Sequence, residues 1–80
     1  MNIPFDGKQL GELDRRFVSC EALNDSELLA LAAFMWHLHA CMSHGRHLIY
    51  AQFYATRYET VARCCIAKQL MTPDQLWKQP

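Results

Sequence analysis

The sequence predicts an all-α protein, a small bundle of three to four helices packed around one central apolar helix. The first observation is that residues 28–42 hold thirteen apolar residues out of fifteen, with no formal charge and no Gly or Pro. Such a run of good helix formers is too long for a typical strand, and it is shorter than the ~20 apolar residues that span a bilayer. The second observation is that three predicted helix starts share one capping signature.

Length and composition are those of a single helical domain, residues 1–80, with enough apolar residues (51%) to form a core. The formal net charge is zero, which gives no overall basic field for nucleic acid. Residues 1–27 hold six acidic and three basic side chains, a balance of −3, whereas residues 46–80 hold five basic and two acidic ones, a balance of +3. These opposite charges could attract within one chain or between two chains.

The first helix is predicted at about residues 7–20. Asp6 is its N-cap and Gln9 is the reciprocal partner of a capping box. An inward stripe at helical spacing is formed by Leu10, Leu13, Phe17 and Cys20.

The second helix is predicted at about residues 25–43, with Asn24 and Glu27 as its capping box and Gly45 as a natural residue just after its end. It is apolar nearly all round, so other parts of the protein must cover it.

The third helix is predicted at about residues 46–70, because nothing in that range breaks a helix. Its predicted inward stripe is Leu48, Ala51, Tyr54, Ala55, Tyr58, Val61, Ala62, Cys65 and Ile66. A short fourth helix, about residues 73–78, starts at Thr72 with Pro73 and Gln75, and Trp77 is expected to fold back onto the body. One short and one long neighbour cannot cover every side of the second helix, which favours a homodimer.

A band on the outward side of the third helix is the predicted protein interface. Its residue types, Arg interleaved with aromatic side chains, are enriched at interfaces and would also suit phosphate contacts. The alternative is an ordinary solvated helix face. The candidate interface residues are Arg46, Ile49, Tyr50, Phe53, Arg57, Cys64 and Lys68, together with Trp36 of the second helix.

Histidines of the second helix suggest two further sites. His37, Cys41 and His44 share one face at i, i+4 and i+7, and imidazole and thiolate are ligands that zinc prefers. The same strip could simply be the side of the helix that faces water. His39 lies in the most apolar sector, where it is either a core histidine bonded to a neighbour or a pH-sensitive dimer contact.

The cysteines and the first residues indicate where the protein works. Residues 1–10 contain no apolar run, so we expect a cytoplasmic protein. Cys20, Cys41, Cys64 and Cys65 have no CxxC spacing, and we expect them to be reduced and mostly in the core.

No phosphate-binding loop, nucleophile elbow or HExxH motif is present. We therefore expect a non-catalytic regulatory or inhibitor-type protein that binds another protein, with no cofactor and no membrane association. The first alternative is a DNA-associated transcriptional regulator using the helix at about residues 46–57. The second alternative is a zinc-binding helical module.

Overall fold

A computed structural model of the chain describes residues 6–45 and 47–77. These two ranges form three α-helices, α1 (Gly7–Val18), α2 (Asp25–His44) and α3 (Leu48–Ala67), followed by a 3-10 turn at Pro73–Gln75. They contain no strand. The predicted all-α helical bundle is therefore confirmed, although the expected fourth helix is only a single 3-10 turn.

The starts of α1 and α2 follow the predicted capping signature. The Asp6 carboxylate accepts a hydrogen bond from the Gln9 backbone amide at 2.8 Å, and the Gln9 side chain accepts one from the Asp6 amide at 2.9 Å. Asn24 and Glu27 make the same reciprocal pair at the start of α2, at 2.8 and 2.9 Å. Each capping residue is worth about 1 kcal/mol, because it satisfies helix-end amides that would otherwise lack a partner.

The ends of α1 and α3 come two or three residues earlier than predicted. Cys20 and Gln69 each adopt a left-handed backbone, with φ of 61° and 63°. After α1, the amide of Glu21 bonds to the Arg16 carbonyl and that of Cys20 to the Phe17 carbonyl. Leu70 and Gln69 make the equivalent bonds after α3. This is the Schellman arrangement, which usually places Gly at the left-handed position.

The core lies between α2 and α3, which form an antiparallel hairpin. His39 contacts Ala51 near the connecting turn, whereas Leu28 and Cys64 lie together at the other end. The largest fully buried side chains are Tyr58, Leu31, Met35, Val61 and Cys65. Most of the predicted inward stripe of α3 is thus buried or half-buried, but Leu48 is exposed and was assigned to it wrongly.

Buried Leu10 and Leu13 pack α1 into the core, and salt bridges also join α1 to the hairpin. Arg16 of α1 pairs with Glu27 of α2 at 3.1 Å, and Asp14 of α1 pairs with Arg57 of α3. The opposite charges of the two ends of the chain therefore meet within one molecule, at least in part. α1 lies over only part of the hairpin, because it has 12 residues whereas α2 and α3 have 20 each.

The segment after α3 folds back onto the body, as predicted for Trp77. The Trp77 ring lies 5.3 Å from the Tyr58 ring and 6.0 Å from the Trp36 ring, measured between centroids. The Tyr58 hydroxyl also donates a hydrogen bond to the Leu76 carbonyl. Among the helices described, none is long and apolar enough to cross a membrane.

Candidate protein-interaction surface

Large apolar side chains stand exposed at the N-terminal end of α3. We call this surface the α3 patch. Its members and their exposed fractions are Leu48 (71%), Ile49 (83%), Tyr50 (60%) and Phe53 (53%). The patch exists because α1 has 12 residues and α3 has 20, lengths of about 18 Å and 30 Å, so α1 cannot cover all of α3.

Neighbouring rings support the aromatic members of the patch. Phe53 lies edge-on to Tyr54 with 5.3 Å between ring centroids, and Tyr50 lies edge-on to His47 at 6.4 Å. A shallow hollow of about 250 Å³ beside the patch is lined by Met42, His47, Tyr50 and Tyr54. Rings held against one another lose little conformational freedom on binding, which suits them to anchor a partner.

α2 exposes less apolar surface than the sequence predicted. Leu28 and Met35 are buried, while Phe34, Trp36 and Met42 are half-buried and Leu29 is exposed. Most of the large exposed apolar side chains described lie on α3 instead, because the hairpin and the C-terminal segment cover much of α2.

The predicted interface band is not one continuous exposed surface. Ile49, Tyr50 and Phe53 are exposed, whereas Arg57 and Cys64 are half-buried. Arg57 pairs with Asp14, and Lys68 lies 3.5 Å from both Asp25 and the Leu23 carbonyl. Trp36 is half-buried and lies against the rings of Tyr58 and Trp77. Arg46 lies outside the described residues.

The DNA-reading alternative requires cations on the first half of α3. In the predicted range 46–57 the Lys and Arg residues are Arg46, which lies outside the described residues, and Arg57. Arg57 pairs with Asp14 and lies 5.8 Å over the Phe53 ring. This geometry lends the DNA-associated alternative no support.

The structure brings together two of the three predicted metal ligands. The Cys41 Sγ lies 3.5 Å from the His37 Nε2, and both side chains are exposed on α2. His44 is the last residue of α2 and is also exposed. Within residues 6–45 and 47–77, no group of three His, Cys, Asp or Glu side chains is arranged to hold a metal ion.

His39 is half-buried and bonds across the hairpin. Its Nδ1 lies 3.1 Å from the Ala51 carbonyl oxygen. A carbonyl only accepts, so Nδ1 carries the proton in this contact. The ring also lies 5.7 Å from the Trp36 ring, measured between centroids. A role for His39 as a pH-sensitive dimer contact stays a prediction.

The cysteines differ in their surroundings. Cys65 is buried, and that burial raises the pKa of its thiol to about 11. Cys64 is half-buried, but Cys20 and Cys41 are exposed. The expectation that the cysteines lie mostly in the core is therefore wrong for Cys20 and Cys41. Cys20 is exposed because α1 ends before it, which takes it off the inward stripe.

A groove missed by the sequence analysis lies between the α1–α2 turn and the end of α3. It has a volume of about 380 Å³ and is lined by Phe17, Glu21, Ala22, Leu23, Leu28, Cys64, Ala67 and Lys68. Its position depends on the Schellman turn at Cys20, for which the sequence offers no glycine as a signal.

No family model, curated protein or solved structure matches this sequence. The function is therefore inferred from the α3 patch and its surroundings.

Proposed function

We propose that this chain is a small non-catalytic regulatory protein that acts by protein–protein interaction, and that it self-associates through the α3 patch. The observation that carries the proposal is the patch itself, four large apolar side chains, each at least half exposed, within the first six residues of one helix. Contiguous exposed apolar surface of this kind is typical of an interaction site.

Charge favours a second copy as the occupant. The patch residues are uncharged, and the nearest described cation of α3, Arg57, is paired with Asp14. An acidic partner would therefore find little to attract it among the described patch residues. Two copies of an apolar patch complement each other across a two-fold axis, and a net charge of zero does little to keep copies apart.

The expected affinity is modest. Burying one large apolar side chain is worth about 1.5–3 kcal/mol, but a standard interface buries about 800 Å² on each partner. Four side chains supply only part of that area, and association also costs translational and rotational freedom. We expect self-association in the micromolar range.

Sedimentation equilibrium tests the proposal. The chain of 9.3 kDa is measured from about 1 to 300 µM, a range that brackets a micromolar dissociation constant. Wild type is expected to show reversible formation of a species of twice the monomer mass. Ile49→Asp is expected to remain monomeric, because it places a charge in the contact.

Thr60→Asp is the matched control. It adds the same charge at an exposed position of α3 outside the patch and is expected to associate like wild type. Circular dichroism checks that both variants stay helical. A wild-type chain that stays monomeric at every concentration, or an Ile49→Asp variant that associates normally, would contradict the proposal.

A further inference from the structure

We propose that His47 makes self-association through the α3 patch depend on pH, because only its neutral imidazole suits the contact between two copies. This inference rests on the proposed function, since it assigns regulation to the same surface. Histidine is the side chain that ordinarily changes charge between pH 5 and 8. A histidine within a binding surface can therefore switch that surface over this range.

His47 is exposed and lines two hollows beside the α3 patch. One hollow, of about 250 Å³, also contains Met42, Tyr50 and Tyr54. The other, of about 320 Å³, borders three members of the patch, Leu48, Ile49 and Tyr50. A second copy seated on the patch therefore contacts the His47 side chain whichever of these hollows it enters.

The His47 ring is packed on two sides at the start of α3. Its edge lies over the turn between α2 and α3, where a Cβ on Gly45 would come within 3.0 Å of the His47 Cδ2. The Tyr50 ring lies edge-on to it, with 6.4 Å between the ring centroids. The His47 amide donates to the Met42 carbonyl at 3.0 Å, and its carbonyl accepts from the Ala51 amide at 2.8 Å. A ring held in this way stays in the contact, so a second copy would cover it.

The groups of α2 and α3 around His47 supply no negative charge. The two tyrosines of the hollow are uncharged near neutral pH. The first acidic residue of α3, Glu59, comes twelve positions after His47, which is about 18 Å along the helix. The acidic residues of α2 and of the turn before it lie at the opposite end of the hairpin. The neighbouring basic residues in the sequence, His44 and Arg46, could only add positive charge.

The acidic side chains of the other elements are engaged elsewhere. On α1, Asp6 caps the helix, whereas Glu12 and Asp14 form salt bridges with arginines. The salt bridges described for residues 6–45 and 47–77 link neither these carboxylates nor Asp74 of the 3-10 turn to His47. A protonated His47 would therefore be covered by a second copy without a compensating charge.

Protonation of His47 is thus expected to oppose self-association. Water stabilises a charged imidazolium, and burial between two uncharged patches removes that water without supplying a partner. Each dimer contains two such histidines. A histidine with the ordinary pKa of about 6.5 is mostly charged at about pH 5.5. If the dimer accepts only the neutral form, its dissociation constant rises about a hundredfold between about pH 8 and pH 5.5.

Sedimentation equilibrium of protein without a histidine tag, at about pH 8, 7, 6 and 5.5, tests the inference. The dissociation constant of wild type is expected to rise about tenfold or more as the pH falls. His47→Gln and His47→Phe cannot take up a proton at this position, and both are expected to associate equally well at every pH. Phenylalanine keeps an aromatic ring beside the patch, so this variant separates the charge from the loss of the ring.

His44→Gln is the matched control. It removes another exposed histidine, three positions earlier, and is expected to keep the pH dependence of wild type. Circular dichroism at each pH checks that the helices persist. The whole range lies above 4.5, so the Glu27 carboxylate, whose pKa is below that value, stays ionised throughout.

The outcomes separate this role from the proposed function. A dissociation constant that is constant with pH, or that falls as the pH is lowered, would overturn the role of His47 and leave self-association intact. A pH dependence kept by both His47 variants or lost with His44→Gln would overturn it too, as would failure of both His47 variants to associate. Wild type that is monomeric even at about pH 8 would contradict the proposed function and this inference together.

Discussion

Arg57 of α3 is ion-paired with Asp14 of α1, and this contact marks the edge of the α3 patch. The Arg57 guanidinium also lies 5.8 Å from the centre of the Phe53 ring. Arg57 is half-buried, whereas Phe53 is exposed. The two neighbours thus have different roles, since one ties α1 to the hairpin and the other remains available to a partner.

This difference predicts that two alanine substitutions affect different properties, one the stability of the fold and the other self-association. Arg57→Ala is expected to lower the free energy of unfolding by about 1 kcal/mol, because it leaves Asp14 without its partner. Phe53→Ala is expected to leave stability nearly unchanged but to weaken self-association. Urea unfolding measures the first effect and sedimentation equilibrium the second. Arg63→Ala, which breaks an exposed pair with Glu59, is the control and should cost less than Arg57→Ala. A larger loss of stability from Phe53→Ala than from Arg57→Ala would contradict the assignment.

The left-handed residues at the two helix ends predict stabilising substitutions. A side chain at positive φ costs roughly 1 kcal/mol relative to glycine, and Cys20 and Gln69 have φ of 61° and 63°. Cys20→Gly and Gln69→Gly are each expected to raise the free energy of unfolding by about 0.5–1 kcal/mol, measured in urea. Ser19→Gly is the control, because Ser19 has a φ of −81° and glycine gains nothing there. Stabilisation by Ser19→Gly of similar size would contradict this explanation.

The same two positions explain where sequence-based prediction of the fold failed. The starts of α1 and α2 were predictable because Asp6, Asn24 and their partners have the residue types and the spacing of a capping box. The ends of α1 and α3 were not, since Cys20 and Gln69 carry no sequence signal for a left-handed conformation.

The candidate site could be predicted only in part, because contacts between helices decide which residues stay exposed. Helical spacing puts Ile49, Phe53 and Arg57 in one band, but spacing does not show how far α1 reaches along α3. The pairing of Asp14 with Arg57 decides that, and it joins residues 43 positions apart. Likewise, the sequence shows the spacing of His37 and Cys41. Only the structure shows that, among the described residues, no third side chain joins them to hold a metal ion.

Glu27 predicts a pH dependence of stability. Its carboxylate accepts hydrogen bonds from the Asn24 backbone amide and from the Arg16 guanidinium. These bonds lower the pKa of Glu27 from the ordinary value of 4.5. Because the pKa is lower in the folded chain, ionised Glu27 stabilises the fold above pH 4.5. This contribution is lost as the pH falls through the folded value.

Glu27→Gln isolates that charge. Glutamine can keep the bond to the Asn24 amide, as Gln9 does for Asp6. The variant is expected to be less stable than wild type at about pH 7, and the difference should shrink as the pH falls below 4.5 and through the lowered pKa of folded Glu27. Urea unfolding at several pH values measures it. Glu59→Gln, which removes an exposed carboxylate paired with Arg63, controls for loss of charge. A difference that stays constant with pH would contradict the role assigned to Glu27.

The burial of Cys65 predicts a fixed order of thiol reactivity. Burial raises the pKa of its thiol to about 11, and the thiolate is the species that reacts with iodoacetamide. Near pH 8, Cys20 and Cys41, both exposed, are therefore expected to be alkylated first, and Cys65 only as fast as the protein unfolds. Peptide mapping by mass spectrometry gives the rate at each cysteine. All four cysteines should react at similar rates in denaturant, which is the control.

Val61→Ala tests the same explanation with a cavity-forming change beside Cys65 in the core. It should speed the labelling of Cys65 far more than that of Cys20, because it makes unfolding easier. Labelling of Cys65 as fast as Cys20 in the folded wild type would show that the hairpin core is open to solvent.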